Sequence, residues 1–248
     1  VKTILITGCS SGFGLETAKH FLANNWKVIA TMRTPDTSQF PSSDRLTILP
    51  LDVTSEHSIE QVIEQAGPID VLVNNAGIGM LGPVEGTPMA IARTVFETNT
   101  IGTMAMTKAV IPQFRERRAG LIINVTSSVT LKSLPLLAIY TGSKAAINAF
   151  TESLALELAQ FNIRVRLVLP GRSPTTRFGE NAQARMQQGF NKHYASFLQG
   201  VFDQWQQDEV VTHTDDVVQA IWQVANEQDT PMRIAAGADA KALIHAAD

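Results

Sequence analysis

Seven short apolar stretches alternate with segments of helical periodicity along the 248 residues. Residues 3–7 (TILIT), 27–32 (KVIATM), 46–52 (LTILPLD), 69–77 (IDVLVNNAG), 121–127 (LIINVTS), 163–171 (IRVRLVLPG) and 232–237 (MRIAAG) read as strands. Leu15, Ala18, Phe21 and Leu22 recur at helical spacing after the first strand, and residues 58–66, 88–116, 139–160 and 214–225 read as helices. Helices of ten or more residues between successive short strands impose right-handed crossovers, and with them a parallel sheet covered on both faces. The expected fold is therefore one doubly wound α/β domain over residues 1–248, uninterrupted by a linker, repeat or low-complexity segment. Ligands in such sheets sit beyond the carboxyl ends of the strands, so the residues at strand ends carry the functional reading.

Composition narrows the function classes. A hydrophobic content of 44% is ample for one core. A net charge of −3 with no basic run argues against a nucleic-acid partner. The single cysteine excludes an internal disulfide framework and fits a reducing compartment, so a cytoplasmic location is expected. The five histidines show no i,i+3 or i,i+4 pair, and no metal site is expected. Residues 1–30 lack a charged start followed by a long apolar run, so no signal peptide is expected. No run of 18 apolar residues occurs, and no membrane span is expected.

The turn after the first strand, TGCSSGFG (7–14), places Gly8, Gly12 and Gly14 before a helix. Small residues at a helix N-terminus let the backbone approach a phosphate, which meets unpaired N–H groups and a partial positive charge. Ser10 and Ser11 can add hydroxyl donors. A tight structural turn is the alternative. Tyr140 and Lys144 lie four apart on a predicted helix and so share a face. A phenol with a reference pKa of about 10 is a poor base at neutral pH, and a neighbouring ammonium favours its ionised form.

Taken in order, Thr7, Gly8, Gly12 and Gly14 (TGxxxGxG), NNAG at 74–77, Asn99, Ser127, YTGSK at 140–144 and Pro170–Gly171 resemble the short-chain dehydrogenase/reductase family over nearly the whole chain. Within it, ITGCSSGFG and KVIATMR resemble hydroxysteroid and retinol dehydrogenase-like members. The resemblance implies a Rossmann-type domain that transfers hydride between a nicotinamide cofactor and an alcohol, ketone or aldehyde. It implies Tyr140 as general acid/base and Lys144 as its partner, which also bonds the nicotinamide ribose. Ser127, thirteen residues before Tyr140, would hold the substrate oxygen, with Ser128 as competitor and Thr130 replacing a frequent glycine. Asn99 would kink its helix and hold a proton-relaying water; a satisfied buried amide is the alternative.

For the cofactor, the resemblance implies contacts from Gly8, Ser10, Ser11, Gly12, Phe13 and Gly14. It adds Asp52 at the adenine, with Val53 beside it, and Asn75, Ala76 and Gly77 along the adenosine side. Helix capping is the alternative for Asp52. Pro170, Gly171, Ser173 and Thr175 would border the nicotinamide, with Thr176 as the alternative to Thr175. Met32 stands where NAD-preferring enzymes carry an acidic residue, and Arg33 follows. That pair points to NADP rather than NAD. Residues 172–212, with Phe178, Phe190, Tyr194, Phe197, Phe202 and Trp205, would form a lid over a small apolar alcohol or carbonyl substrate. Plain packing of a helix pair is the alternative. A homodimer or homotetramer through the two long helices is implied, and the rival to an enzyme is a catalytically silent dinucleotide-binding sensor or scaffold.

Overall fold

The computed structural model describes residues 1–174, 176, 179, 182, 185, 192–207 and 210–245. Seven strands, β1 (Thr3–Thr7), β2 (Lys27–Met32), β3 (Leu46–Pro50), β4 (Val71–Asn74), β5 (Gly120–Val125), β6 (Ile163–Pro170) and β7 (Arg233–Ala236), form one sheet in the order β3-β2-β1-β4-β5-β6-β7. Every pairing is parallel. Among the described residues, the helices are α1 (Gly12–Ala23), α2 (Glu56–Ala66), α3 (Met89–Phe96), α4 (Gly102–Arg117), α5 (Ala138–Ala159), α6 (Ala195–Gln207), α7 (Thr214–Asn226) and α8 (Ala238–His245).

The strands are apolar on both faces because both faces are covered. Ile4, Ile6, Val28, Ala30, Val71, Val73, Leu121 and Ile123 pack under α1 and α7, where Phe21 and Trp222 meet edge to face at 5.0 Å. The intervening Leu5, Ile29, Leu72 and Ile122 point to the other face, under α2, α4 and α5. The chain leaves β1 for one side of the sheet and returns at β4 for the other. The switch point therefore lies between β1 and β4.

Several predicted elements end short of, or break within, their expected bounds. The strand expected over 69–77 ends at Asn74. Beyond it the Asn75 and Ala76 N–H groups donate to the Thr7 hydroxyl at 3.0 and 2.9 Å rather than to a sheet ladder. The helix expected over 88–116 is broken by a π-helical turn, Glu97–Ile101, between α3 and α4. Among the described residues, no helix is long and apolar enough to cross a membrane.

Candidate active site

The glycine turn and the loop after β4 are bound together across the switch point. Gly8 has φ +75°, and a Cβ there would lie 2.8 Å from the Ala76 Cα, so only glycine fits. The Asn75 amide donates to the Thr7 and Gly8 carbonyls at 2.9 and 3.2 Å. Asn75 thus braces the turn, a role its motif did not reveal. Ser11 is the N-cap of α1 with extended backbone, and its side chain caps no N–H of the helix. Ser10 is exposed, Phe13 packs against the core, and Gly12 and Gly14 open α1. Cys9 is buried, its thiol bonded to the Ile6 carbonyl at 3.2 Å, and burial pushes its pKa up to about 12.

Beside this turn lies the second cluster. Ser127 follows β5 and Tyr140 stands in the first turn of α5, and their side chains are hydrogen-bonded. The Ser127 hydroxyl also accepts the Val129 N–H at 3.3 Å. Ser127 is thus the serine joined to Tyr140, and Ser128 opens the short 3-10 turn behind it. Thr130 braces that turn, donating to the Ser127 carbonyl at 2.9 Å and accepting from the Asn148 amide at 2.9 Å. One helical turn on, Lys144 Nζ donates to the Val125 carbonyl at 3.0 Å. A Cβ on Gly77 would stand 3.3 Å from both Lys144 Nζ and Asn99 Oδ1, so the lysine reaches the cofactor-side loop.

Asn99, in the π turn, is 1% exposed. Its Oδ1 accepts the Ile78 N–H at 2.8 Å, and its amide donates to the Ile78 carbonyl at 2.9 Å and to the Ser143 hydroxyl at 3.1 Å. The Ser143 hydroxyl in turn donates to the Tyr140 carbonyl at 2.7 Å. Asn99 therefore ties the loop after β4 to the first turn of α5.

Burial dominates the electrostatics. It pushes the Tyr140 phenol well above its ordinary range, against a lowering hydrogen bond from Ser127. It brings Lys144 down to about 8. Both shifts disfavour charge in a desolvated cleft. The lowering of the phenol's pKa expected from the Lys144 ammonium does not emerge in the free protein, where burial raises it against the Ser127 hydrogen bond alone.

The remaining expected contacts lie around the same crevice. Met32 ends β2 buried, and Arg33 follows it exposed. Asp52 lies just beyond β3, and its carboxyl is held below the usual range by the Thr54 N–H and hydroxyl, at 2.9 and 2.7 Å, with a smaller contribution from Arg33. The helix cap of α2 is Ser55 instead. Val53 packs between α2 and α4. Pro170 ends β6, and Gly171 follows it. Ser173 keeps a buried hydroxyl without a hydrogen-bond partner among the described residues. Thr175, Phe178 and Phe190 lie outside the described residues. Thr176 lies over the glycine turn, its methyl 3.6 Å from where a Cβ on Gly12 would sit. From the same segment Arg185 donates to the Gly79 carbonyl at 3.2 Å. Tyr194, Phe202 and Trp205 pack with Leu198 and Val201 onto Leu81, Leu136 and Leu137, in a cluster separate from the two main cores. Phe197 is exposed.

These features fit a dinucleotide: an uncapped helix N-terminus at the switch point, backbone too close for side chains, and a buried Ser173 hydroxyl with no partner among the described residues. Among the described residues, no cluster of His, Cys, Asp or Glu is placed to hold a metal ion. A doubly wound parallel sheet with a glycine turn at its switch point defines a Rossmann-type fold. Residues 2–186 match the family model of the short chain dehydrogenases, and the chain belongs to that family. Retinol dehydrogenase 8 of Bos taurus is 43% identical over 182 residues, which are 68% of this chain and 58% of that protein. The chain thus spans little more than half the length of that relative. A short-chain dehydrogenase from Streptomyces avermitilis superposes with a TM-score of 0.85 at 33% identity, covering 99% of this chain and 91% of that one. The closed form of serine dehydrogenase complexed with NADP+ superposes with a TM-score of 0.81 at 26% identity, covering 94% and 93%.

Proposed function

We propose that this chain is an NADP(H)-dependent oxidoreductase that interconverts a small apolar alcohol with its ketone or aldehyde, using Tyr140 as general acid/base. The observation that carries this reading is the hydrogen bond between Tyr140 and Ser127, with Lys144 Nζ close to Gly77 in the same cleft. The N–H groups at the start of α1, with Ser10 and Ser11, would hold a pyrophosphate. Asp52, Val53, Ala76 and Gly77 would border the adenosine, and Pro170, Gly171, Ser173 and Thr175 or Thr176 the nicotinamide. When bound, the cofactor supplies or accepts a hydride. The chain's own residues manage the proton. Ser127 holds the substrate oxygen, and Tyr140 gives its hydroxyl proton to that oxygen in reduction and takes it back in oxidation. Lys144 beside it favours the phenolate.

The segment 172–212 serves as a cover for the substrate. The support is the aromatic cluster of Tyr194, Phe202 and Trp205 on Leu136 and Leu137, three or four residues from Tyr140. An apolar substrate is also in keeping with the retinol dehydrogenase relative. Self-association through α4 and α5 is supported by Leu156, 81% exposed on α5.

The decisive experiment offers a panel of alcohols and ketones with both nicotinamide cofactors, followed at the nicotinamide absorbance. Tyr140→Phe should lose nearly all turnover while cofactor affinity stays within a few-fold, because only the proton-transferring hydroxyl is removed. Most activity retained in folded Tyr140→Phe would overturn the assignment. Cofactor binding without turnover on any substrate would favour the sensor or scaffold.

A further inference from the structure

Asp239, in the first turn of α8, lies outside every motif so far described, yet its carboxylate joins two other segments of the chain to α8. The Arg172 N–H donates to its Oδ2 at 2.6 Å, and the Thr212 hydroxyl lies 2.6 Å from its Oδ1. Arg172 and Thr212 are also joined directly, the Thr212 N–H donating to the Arg172 carbonyl at 2.8 Å. The fully buried Thr212 hydroxyl accepts the Gly171 N–H at 2.9 Å and lies 2.9 Å from the Ala236 carbonyl. It has one proton to share between Asp239 and Ala236, and the charged acceptor makes the stronger bond. A Cβ on Gly171 would run into the Asp239 carboxylate, and one on Gly237 into the Thr212 hydroxyl. Both glycines are thus set by this clamp.

The place of the clamp gives it meaning. The chain leaves the sheet at Arg172 and comes back at Thr212, so those residues are the two ends of one excursion, drawn to a closed neck. Thr176, on that excursion, rests on the glycine turn, and Ser173 carries its buried hydroxyl just beyond the neck. A base that wandered would move both.

We propose that Asp239 is a positioning residue that clamps the neck of the substrate-covering segment. Ser173 and Thr176 are then held in one place beside the neck. This rests on reading residues 172–212 as a cover; the bonds at the neck do not depend on that reading. A carboxylate that served only to dock α8 on the sheet would affect stability alone.

The test uses Asp239→Ala and Asp239→Asn in the full chain. Asparagine can accept from the Arg172 N–H with its oxygen and donate to Thr212 with its nitrogen, leaving the Thr212 proton for Ala236. Asp239→Ala should weaken NADP binding and raise KM about tenfold, the loss expected of a charge-assisted hydrogen bond, with kcat at saturation changed less than threefold. Asp239→Asn should restore most of it. In ligand-free protein, amide exchange at Arg172, Thr212 and residues 192–205 should accelerate in Asp239→Ala, while β1, β4 and β5 keep their protection. Unchanged exchange at the neck would overturn the clamp, as would equal loss of protection in the central strands. Where Asp239→Ala does not fold, Thr212→Val, close in shape and lacking the hydroxyl, should give the same exchange pattern. Loosening at the neck in a protein that turns over no alcohol or ketone would leave the clamp standing and remove the enzyme reading. Turnover with an unaltered neck in both variants would do the reverse.

Discussion

Burial acts on Lys144 and Tyr140 in opposite directions, and the two shifts make a pH signature. Lys144 falls from 10.5 to about 8 on folding. Between those values the unfolded chain binds the proton that the folded protein has lost, so stability rises with pH. Tyr140 is raised above 10.0, so beyond that pH the folded protein keeps a proton the unfolded chain loses, and stability falls. Cofactor-free protein should therefore gain stability from about pH 8 to 10, by up to about 1.4 kcal/mol per pH unit from Lys144. Lys144→Met should lack that rise. Urea unfolding of both proteins at pH 7, 8, 9 and 10 checks this, and parallel profiles would refute it. At the end of β2, Arg33 can form a paired, charge-assisted bond to a 2′-phosphate, while neutral Met32 offers no repulsion. Arg33→Ala should weaken NADP binding by about 1.5–3 kcal/mol, roughly tenfold to a hundredfold. Adding Met32→Asp should reverse the ratio of kcat/KM for the two cofactors at fixed ionic strength. A wild type that prefers NAD would remove this role from Arg33. That Ser127, Tyr140 and Lys144 come together was legible because Tyr140 and Lys144 share a helical face and the family resemblance placed Ser127 beside them. Asp239 and Thr212 were not, because their bonds span separate segments and no short spacing marks them.

Each strand shows in the sequence as an apolar run, but the runs overshoot the ladders. The stretch read as 46–52 pairs only over Leu46–Pro50, since Asp52 turns to bond Thr54. The stretch read as 121–127 ends at Val125, after which Thr126 and Ser127 lead into the turn facing Tyr140. The overshoot has a physical cause: the last residues of these runs leave the sheet to line the crevice. The π turn at Glu97–Ile101 was signalled only by one poor helix former, Asn99, and by the family resemblance. Hidden inside two apolar runs, Asn74 and Asn124 form a buried network that no periodicity could reveal. Asn74 donates to Thr107 and to Asn124 at 3.0 and 2.9 Å, and Asn124 donates to Thr151 at 2.8 Å. It ties β4 and β5 to α4 and α5, the elements that carry the site. Asn124→Ala removes one partner of Asn74 and one of Thr151 in the buried interior and leaves a small cavity. It should cost about 2–4 kcal/mol, read as a lower urea midpoint with unchanged slope. A loss under about 0.5 kcal/mol would mean that the network carries little of the docking of these helices.

For the whole molecule, the sequence predicted a doubly wound sheet, and the order β3-β2-β1-β4-β5-β6-β7 realises it with both faces covered. It left open whether the aromatics after β6 join that core or lie over the site. The packing bears on this choice. Leu81, Leu136, Ala182, Leu198 and Val201 form a small cluster of their own, rimmed by half-exposed Tyr194, Phe202 and Trp205. Ile4, Leu5, Ile6 and Leu72 in the central strands are fully buried. A region with few buried apolar contacts opens at lower free energy than the core it rests on. Amides of Ala195–Gln207 should therefore exchange by local opening in ligand-free protein, while those of β1, β4 and β5 exchange only near the global unfolding energy. Addition of NADP with a turned-over alcohol should slow exchange in α6 more than in α7, which is docked on the main core. Equal protection of α6 and the central strands without ligand would assign the aromatics to plain core packing. The cover would then have to be sought elsewhere along the crevice.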